Sequence, residues 1–367
     1  MTASEKRKDE RSRDDRVDGQ EDSTSSLESS DQALLEMLGL TSLKDVAMVD
    51  KNDDDEKDST RSGEYSRNNH PLPSLSENIL SSLETALRKE YEEQSVCMFP
   101  PECSIPGEHM RRLTEELVWG GPTFQVDRTY ETIKVLKNGE IIERKTLTRL
   151  ENFVDTHPGW SDLCHGYLRR IVSAALGTEM VLYKEKLNLK PSGGSGFAPH
   201  LDTPSLRVAL GPQGPQTFCT VMVAIDDATS RNGCLRICKG KWSEENACTV
   251  IQPEQDGNPD AGGRAGAIPE EEAEKLCFDE LTTKGGQIAV FNGWAPHRSA
   301  ANVSPFPRRA VFLTYNPKSE GDFHKKYYQR MEQLRNEWRE KIGLASRQQR
   351  MEDEKHENEA LATIPKI

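Results

Sequence analysis

The stretch Phe197-Ala198-Pro199-His200-Leu201-Asp202-Thr203-Pro204 sets an imidazole and a carboxylate one residue apart. In an extended chain, residues i and i+2 point to the same side. His200 and Asp202 can therefore reach one metal ion from a single strand end. A third ligand has to come from elsewhere, and His297, just past the β-like run Gln287–Phe291, is the candidate. Two imidazoles and one carboxylate on one face leave three open positions, the ligand set that non-haem Fe(II) oxygenases use to take O2 and a chelating co-substrate. The iron keeps a net positive charge in such a set, which attracts an anionic 2-oxo acid. The Gly-rich turn Ser192-Gly193-Gly194-Ser195-Gly196 in front lets the backbone bend sharply where the strand delivers its ligands.

Arg308 follows His297 at the opening of another β-like run, Arg309–Tyr315. A dicarboxylate that chelates iron through one end leaves its far carboxylate buried. A guanidinium fork answers that with two parallel hydrogen bonds. Arg309 must point to the opposite face, so only one of the two can serve. Ser299 can donate a hydroxyl to the same carboxylate. In Tyr183–Leu189, alternation puts Lys184, Lys186 and Asn188 on one face and Tyr183, Glu185, Leu187 and Leu189 on the other. Lys186 and Asn188 are candidates for holding the co-substrate, and Lys184, Thr203 and Arg207 for facing the substrate. Trp294 is either a wall of the site or a core residue. Lys184, Lys186, Lys190 and Arg207 together predict a mouth that favours an anionic substrate.

The elements that must carry these residues are short. Val181–Leu189, Thr217–Ile225, Leu235–Lys239, Gln287–Phe291 and Ala310–Tyr315 are β-rich runs separated by turn residues such as Asn232-Gly233, Gly285-Gly286 and Asn292-Gly293. Such punctuation predicts a sandwich or barrel. Before them, Ser74 and Glu77 read as a capping box for a helix from about Leu75 to Glu93. Ser95–Phe99 reads as a strand. Met110, Leu113 and Leu117 mark a second helix, ended by Gly120-Gly121-Pro122. Thr132–Arg144 reads as a hairpin around Asn138-Gly139, and Leu163, Tyr167 and Ile171 as a third helix stopped by Gly177. Glu254–Glu272 is long for a plain connection and reads as a lid or an insertion. A charged helix is expected over Phe323–Leu344.

The chain has 367 residues and a formal net charge of −13. Its first aromatic residue is Tyr65, and residues 1–72 are nearly all polar. They are expected to form a disordered tail, because too little apolar surface offsets the ordering entropy. Within the tail, Ala33–Leu38 is a short amphipathic stretch, either a docking segment for a partner protein or a transient helix. The domain is expected over 73–345 and a flexible tail over 346–367. Net acidity argues against nucleic acid, and no apolar run is long enough for a transmembrane helix. The eight cysteines include no Cys-x-x-Cys pair. Reduced thiols in an intracellular, cytoplasmic protein are the expectation.

His200-x-Asp202, His297 and Arg308 resemble the motif of the phytanoyl-CoA dioxygenase-like family of Fe(II)/2-oxoglutarate oxygenases. Lys186-Leu187-Asn188-Leu189-Lys190-Pro191 is similar to the family's strand before the motif, and Pro305-Phe306-Pro307-Arg308 to its ectoine hydroxylase branch. Gly194–Asp202, Asn232-Gly233-Cys234-Leu235 and Pro296-His297-Arg298-Ser299 resemble most the bacterial phosphonate hydroxylases, which act on 2-aminoethylphosphonate or its trimethyl form. Leu201 stands where the family usually has Gln. The resemblance implies a double-stranded β-helix, or jelly roll, with flanking helices. It implies a hydroxylase that uses Fe(II), O2 and 2-oxoglutarate on an unactivated C–H of a small molecule, releasing succinate and CO2. Two other readings stay open: a jelly-roll binding or regulatory module with an idle metal site, and a cupin-type dioxygenase that uses no 2-oxoglutarate. Arg308 speaks against both.

Overall fold

A computed structural model describes residues 72–119, 124–137, 140–251 and 265–341. The expected tail 1–72 (Leu72 apart), its Ala33–Leu38 stretch, the tail 346–367, the turns at 120–122 and 138–139, and most of the 254–272 stretch lie outside the described residues. The end of that last stretch forms a one-turn helix, Glu270–Ala273.

Among the described residues, eleven strands form two antiparallel sheets. In chain order they are β1 (Val96–Met98), β2 (Asp127–Lys137), β3 (Glu140–Glu151), β4 (Met180–Lys190), β5 (Phe197–His200), β6 (Cys219–Ala224), β7 (Leu235–Ile237), β8 (Asp279–Leu281), β9 (Ile288–Asn292), β10 (His297–Ser299) and β11 (Arg308–Pro317). One sheet has the order β1-β9-β6-β11-β4-β3-β2 and the other β5-β10-β7-β8. From β4 onward the chain crosses between the sheets in the sequence of a jelly roll: β4, β6, β9 and β11 build one wall and β5, β7, β8 and β10 the other. The expected double-stranded β-helix with flanking helices is the observed fold.

Alternation along the strands of the larger sheet divides two cores. Val221, Val223, Val290, Val311 and Leu313 face a helical layer, and Met222, Ala289, Phe291, Ala310 and Phe312 face the smaller sheet. The helical layer consists of α1 (Glu77–Gln94), α2 (Gly107–Trp119) and a continuous helix over 158–176, called α3, whose Asp162–Leu168 turns are π-helical. Leu83, Leu87, Met110, Leu113, Trp160, Leu163 and Ile171 are its buried stripes. The N-cap of α1 is Ser76, whose hydroxyl accepts from Ile79 N at 3.3 Å, rather than Ser74. Gly177 caps α3 in the left-handed region, as expected.

Two departures from expectation have local causes. The β2–β3 hairpin is longer than Thr132–Arg144, because β3 goes on to pair with β4 (Leu150 opposite Leu187) and so extends the sheet. Tyr183 does not share a face with Glu185. The β4–β11 register passes from Lys184↔Thr314 to Leu182↔Tyr315, so Tyr183 is a bulge residue. Its ring packs on Phe218 and on Tyr327, the ring that Lys184 overlies, and its hydroxyl donates to Leu206 O at 3.1 Å.

Candidate metal and co-substrate site

His200 ends β5 and His297 opens β10, and the two are paired directly across the antiparallel ladder. That pairing closes the long sequence gap between them, and the rings stand with centroids 4.2 Å apart. Each ring is fixed in the same way. His200 Nδ1 lies 2.7 Å from Ala198 O and His297 Nδ1 3.0 Å from Ala295 O. A carbonyl can only accept, so Nδ1 carries the proton and Nε2 presents its lone pair.

Asp202 arrives differently from the expectation of a continuous strand. Leu201 is extended, and Asp202 is the first residue of α4 (Asp202–Leu210). The backbone N–H groups of Asp202 and Thr203 both donate to Gly293 O, at 3.1 and 2.9 Å. A side chain on Gly293 would collide with Thr203 Oγ1, so this anchor needs glycine. Asp202 Oδ2 accepts from Thr220 Oγ1 at 2.9 Å, which leaves Oδ1 facing the imidazoles, 3.7 Å from His200 Nε2 and 3.5 Å from His297 Nε2. Three ligands at about 2.1 Å and right angles would stand about 3.0 Å apart, so a small inward shift suffices to close on one ion. Burial alone would push the Asp202 carboxyl up, but the facing His297 and His200 and nearby Lys186 hold it well below the usual carboxylate range. Leu201, the departure from the family pattern, is buried in a separate cluster with Ala247 and Ile268.

The turn into α4 relocates two expected residues. Successive helical residues rotate by about 100°, so Ser205 and Leu206 face the cavity, whereas Thr203 and Arg207 do not line it. Thr203 is fully buried against Gly293. The Arg207 guanidinium makes two bonds to Glu244, at 2.6 and 3.1 Å, and lies over the Trp294 ring. Trp294 is half-buried beside the Leu201 cluster and does not wall the site.

The cavity holds about 720 Å³ of space, part of it open to solvent, and reaches from the triad to Arg308. Lys184, Lys186 and Asn188 line it from β4, as the alternation requires. Lys184 is already paired, 3.1 Å from Glu151 and 5.3 Å over the Tyr327 ring. Lys186 lies over the Phe197 ring at 5.6 Å. Ser299 and Arg308 line it too, both buried. Arg308 is 2% exposed, its Nη2 donates to Gly233 O at 2.7 Å, and its buried Nε has no partner. Burial pulls its guanidinium down to about 10, still cationic at neutral pH. Arg309 points the other way and holds Asp226 through Nε and Nη2, both at 2.8 Å. An unpaired buried cation with an orphaned N–H fits a carboxylate, and two Nε2 atoms with one carboxylate oxygen fit a ferrous ion.

Two residues of this arrangement escaped the sequence, and a third has another role than expected. Thr220 is a hydroxyl in the otherwise apolar, fully buried β6, and that oddity was its signal. Glu151 belongs to a hairpin whose extent was underestimated. Lys190 was counted with the mouth cations, but its Nζ donates to Ala300 O, Ser299 Oγ and Gly233 O.

The family model for phytanoyl-CoA dioxygenase (PhyH) matches residues 121–310. A 2-aminoethylphosphonate dioxygenase from an uncultured bacterium (HF130_AEPn_1) is 38% identical over 185 residues, covering 50% of this chain and 64% of the relative. A methylphosphonate hydroxylase of Gimesia maris is 31% identical over 181 residues, covering 49% and 62%. The chain thus spans just under two thirds of the length of these curated relatives. Among solved structures, AviO1 of Streptomyces viridochromogenes Tue57 aligns with a TM-score of 0.45 at 19% identity, over 64% of this chain and 94% of that one. With over half of its length matched by that model, the chain belongs to the phytanoyl-CoA dioxygenase family.

Proposed function

We propose that this chain is an Fe(II)- and 2-oxoglutarate-dependent dioxygenase that hydroxylates an unactivated C–H of a small anionic molecule, with organophosphonates as the substrate class. The observation that carries the reading is one cavity lined both by the His200–Asp202–His297 cluster and by a buried Arg308 whose Nε has no partner. His200, Asp202 and His297 would hold iron, and Arg308 and Ser299 the far carboxylate of 2-oxoglutarate. When bound, the iron and the 2-oxo acid supply O2 activation: one oxygen atom goes to succinate, with loss of CO2, and the other to the substrate carbon.

The protein's own residues position and exclude. The carbonyls of Ala198 and Ala295 keep both Nε2 atoms aimed, and Thr220 keeps one carboxylate oxygen turned inward. Lys186 gives the cavity a positive field that favours an anion, and Phe197, Leu206 and Phe312 keep part of its wall apolar. The phosphonate reading is supported by the names of the two curated relatives. We assign the oxygenase unit to residues 73–345, a span that includes all of the family match at 121–310.

Purified protein supplied with Fe(II), 2-oxoglutarate and O2 is to be screened for succinate against phosphonates, betaine-like amines and acyl-CoAs. Substrate-stimulated succinate with a phosphonate supports the reading. No succinate with any compound, from protein that is folded and loaded with iron, would sink it. Stimulation by another class alone would keep the chemistry and replace the substrate.

A further inference from the structure

Lys190, the last residue of β4, is only 5% exposed. Its ammonium donates to Ala300 O at 2.7 Å, Ser299 Oγ at 2.9 Å and Gly233 O at 3.4 Å. Phe197 N donates to the same Ser299 Oγ at 3.2 Å. A serine hydroxyl has two lone pairs and one proton. With both lone pairs engaged, the Ser299 proton is left to donate, and Ser299 lines the cavity beside Arg308. Gly233 O, which accepts from Lys190, also accepts from Arg308 Nη2 at 2.7 Å. A side chain on Gly233 would meet Lys190 Nζ at 2.9 Å and clash with Ala300 O, so the shared carbonyl depends on glycine. Lys190 itself does not line the cavity.

Lys190 and Arg308 are thus two neighbouring buried basic groups whose partners are neutral oxygens; among the described residues no carboxylate bonds to either. Burial and the adjacent Arg308 pull the Lys190 ammonium down to about 7, so its hydrogen bonds rather than a second full charge fix its place. A buried guanidinium without a carboxylate beside it is costly unless an anion comes to it.

We propose that Lys190 is a positioning residue for the co-substrate: it fixes Ser299 as a donor and, through the Gly233 carbonyl, fixes Arg308, so that both face a distal carboxylate that Lys190 does not touch. This inference rests on the 2-oxoglutarate reading and adds to it a residue behind the binding surface.

The test is equilibrium binding by calorimetry to protein loaded with Mn(II), which holds the co-substrate without turnover. The ligands are 2-oxoglutarate and 2-oxobutyrate, which lacks the distal carboxylate. Lys190→Met should weaken 2-oxoglutarate about tenfold or more while leaving 2-oxobutyrate within about twofold. Lys190→Gln, which keeps two donors and guards against loss of the fold, should recover part of the difference. Ser299→Ala should lower the same selectivity, and Lys190→Met in that background should cost less than in the wild type. A general structural role would weaken both acids alike, and that result overturns the proposal, as does unchanged 2-oxoglutarate binding. If the wild type binds neither acid, the 2-oxoglutarate reading fails first and takes this one with it. Wild-type preference for 2-oxoglutarate that Lys190→Met leaves intact removes this proposal alone.

Discussion

His200 and His297 are direct cross-strand partners, and each is pinned through Nδ1 to the carbonyl two residues before it. The sheet register, not the spacing in sequence, sets the distance between the two imidazoles.

His297→Ala should therefore abolish Fe(II)-dependent succinate formation with little change in circular dichroism, since one short strand end is altered. Thr220→Val tests the outer support of the site. It removes the bond that turns Asp202 and should weaken metal affinity by roughly 10–100-fold, read by titration with Fe(II) or Mn(II). Near-normal turnover in His297→Ala would remove it from the ligand set.

Arg308 and Arg309 are adjacent in sequence and should behave as opposites. Arg308→Ala should raise the 2-oxoglutarate requirement on the order of a hundredfold or more, as expected when a buried carboxylate loses its cation. Arg309→Ala breaks a two-point bond to Asp226 at the other face. It should lower the melting temperature and leave the apparent affinity for 2-oxoglutarate unchanged. Equal kinetic effects of the two substitutions would mean that the β11 face assignment carries no functional meaning.

The substrate-charge prediction now rests on fewer groups. Lys190 and Arg207 do not line the cavity and Lys184 is paired with Glu151, so the test falls on Lys186, which lines the cavity over the Phe197 ring. Turnover of an anionic substrate should exceed that of its neutral ester, and the preference should shrink as salt shortens the screening length to about 8 Å and below. Lys186→Met should remove the salt dependence. Equal rates for acid and ester at every ionic strength would point to a neutral substrate.

A pH effect on stability should come from the far side of β4. Glu185 is fully buried and accepts from Phe153 N, Val154 N and His324 Nε2, at 2.9, 3.1 and 2.7 Å. His324 also faces Asp155 at 3.4 Å. Burial alone would lower the His324 pKa, but Asp155 and Glu185 raise it to about 10 from 6.5, and the same histidine holds Asp155 well below its ordinary value. A raised folded pKa gives stability that is complete below about 6.5 and lost as pH climbs through about 10. Asp155 contributes above its ordinary range and loses its share only in strong acid. His324→Ala should thus cost roughly 3–5 kcal/mol near pH 6 and clearly less near pH 10.5, measured by denaturant unfolding. A pH-independent cost would show that packing, not charge, holds His324.

The four residues proposed to carry the chemistry were legible because type and spacing sufficed. His200, Asp202, His297 and Arg308 needed only a strand end, a later strand and an alternating face. The jelly roll followed from short β-runs and turn pairs together with a family resemblance. What failed were the neighbours. Thr203 and Arg207 were placed as if the strand continued, but the helix that starts at Asp202 carries them elsewhere. Tyr183 was put on the wrong face because a bulge is invisible to strict alternation. Lys190 had the right face, but its depth decided its role, and depth is a tertiary property. The strands β8 and β10, three residues each, are too short to carry a periodic signal.

His200 and His297 belong to the smaller sheet, whereas Arg308, Asn188 and Lys186 belong to the larger one. The two histidines and the guanidinium that would grip opposite ends of one co-substrate therefore hang from opposite walls, with Ser299 reaching the far end from the strand of His297. The gap between those walls is set by the side chains packed between them, Met222, Leu235, Phe291 and Phe312 among them. That packing acts as a caliper on the length of the diacid. Trimming Met222, which does not line the cavity, should shift the preference among four-, five- and six-carbon 2-oxo diacids without altering any group of the cavity wall.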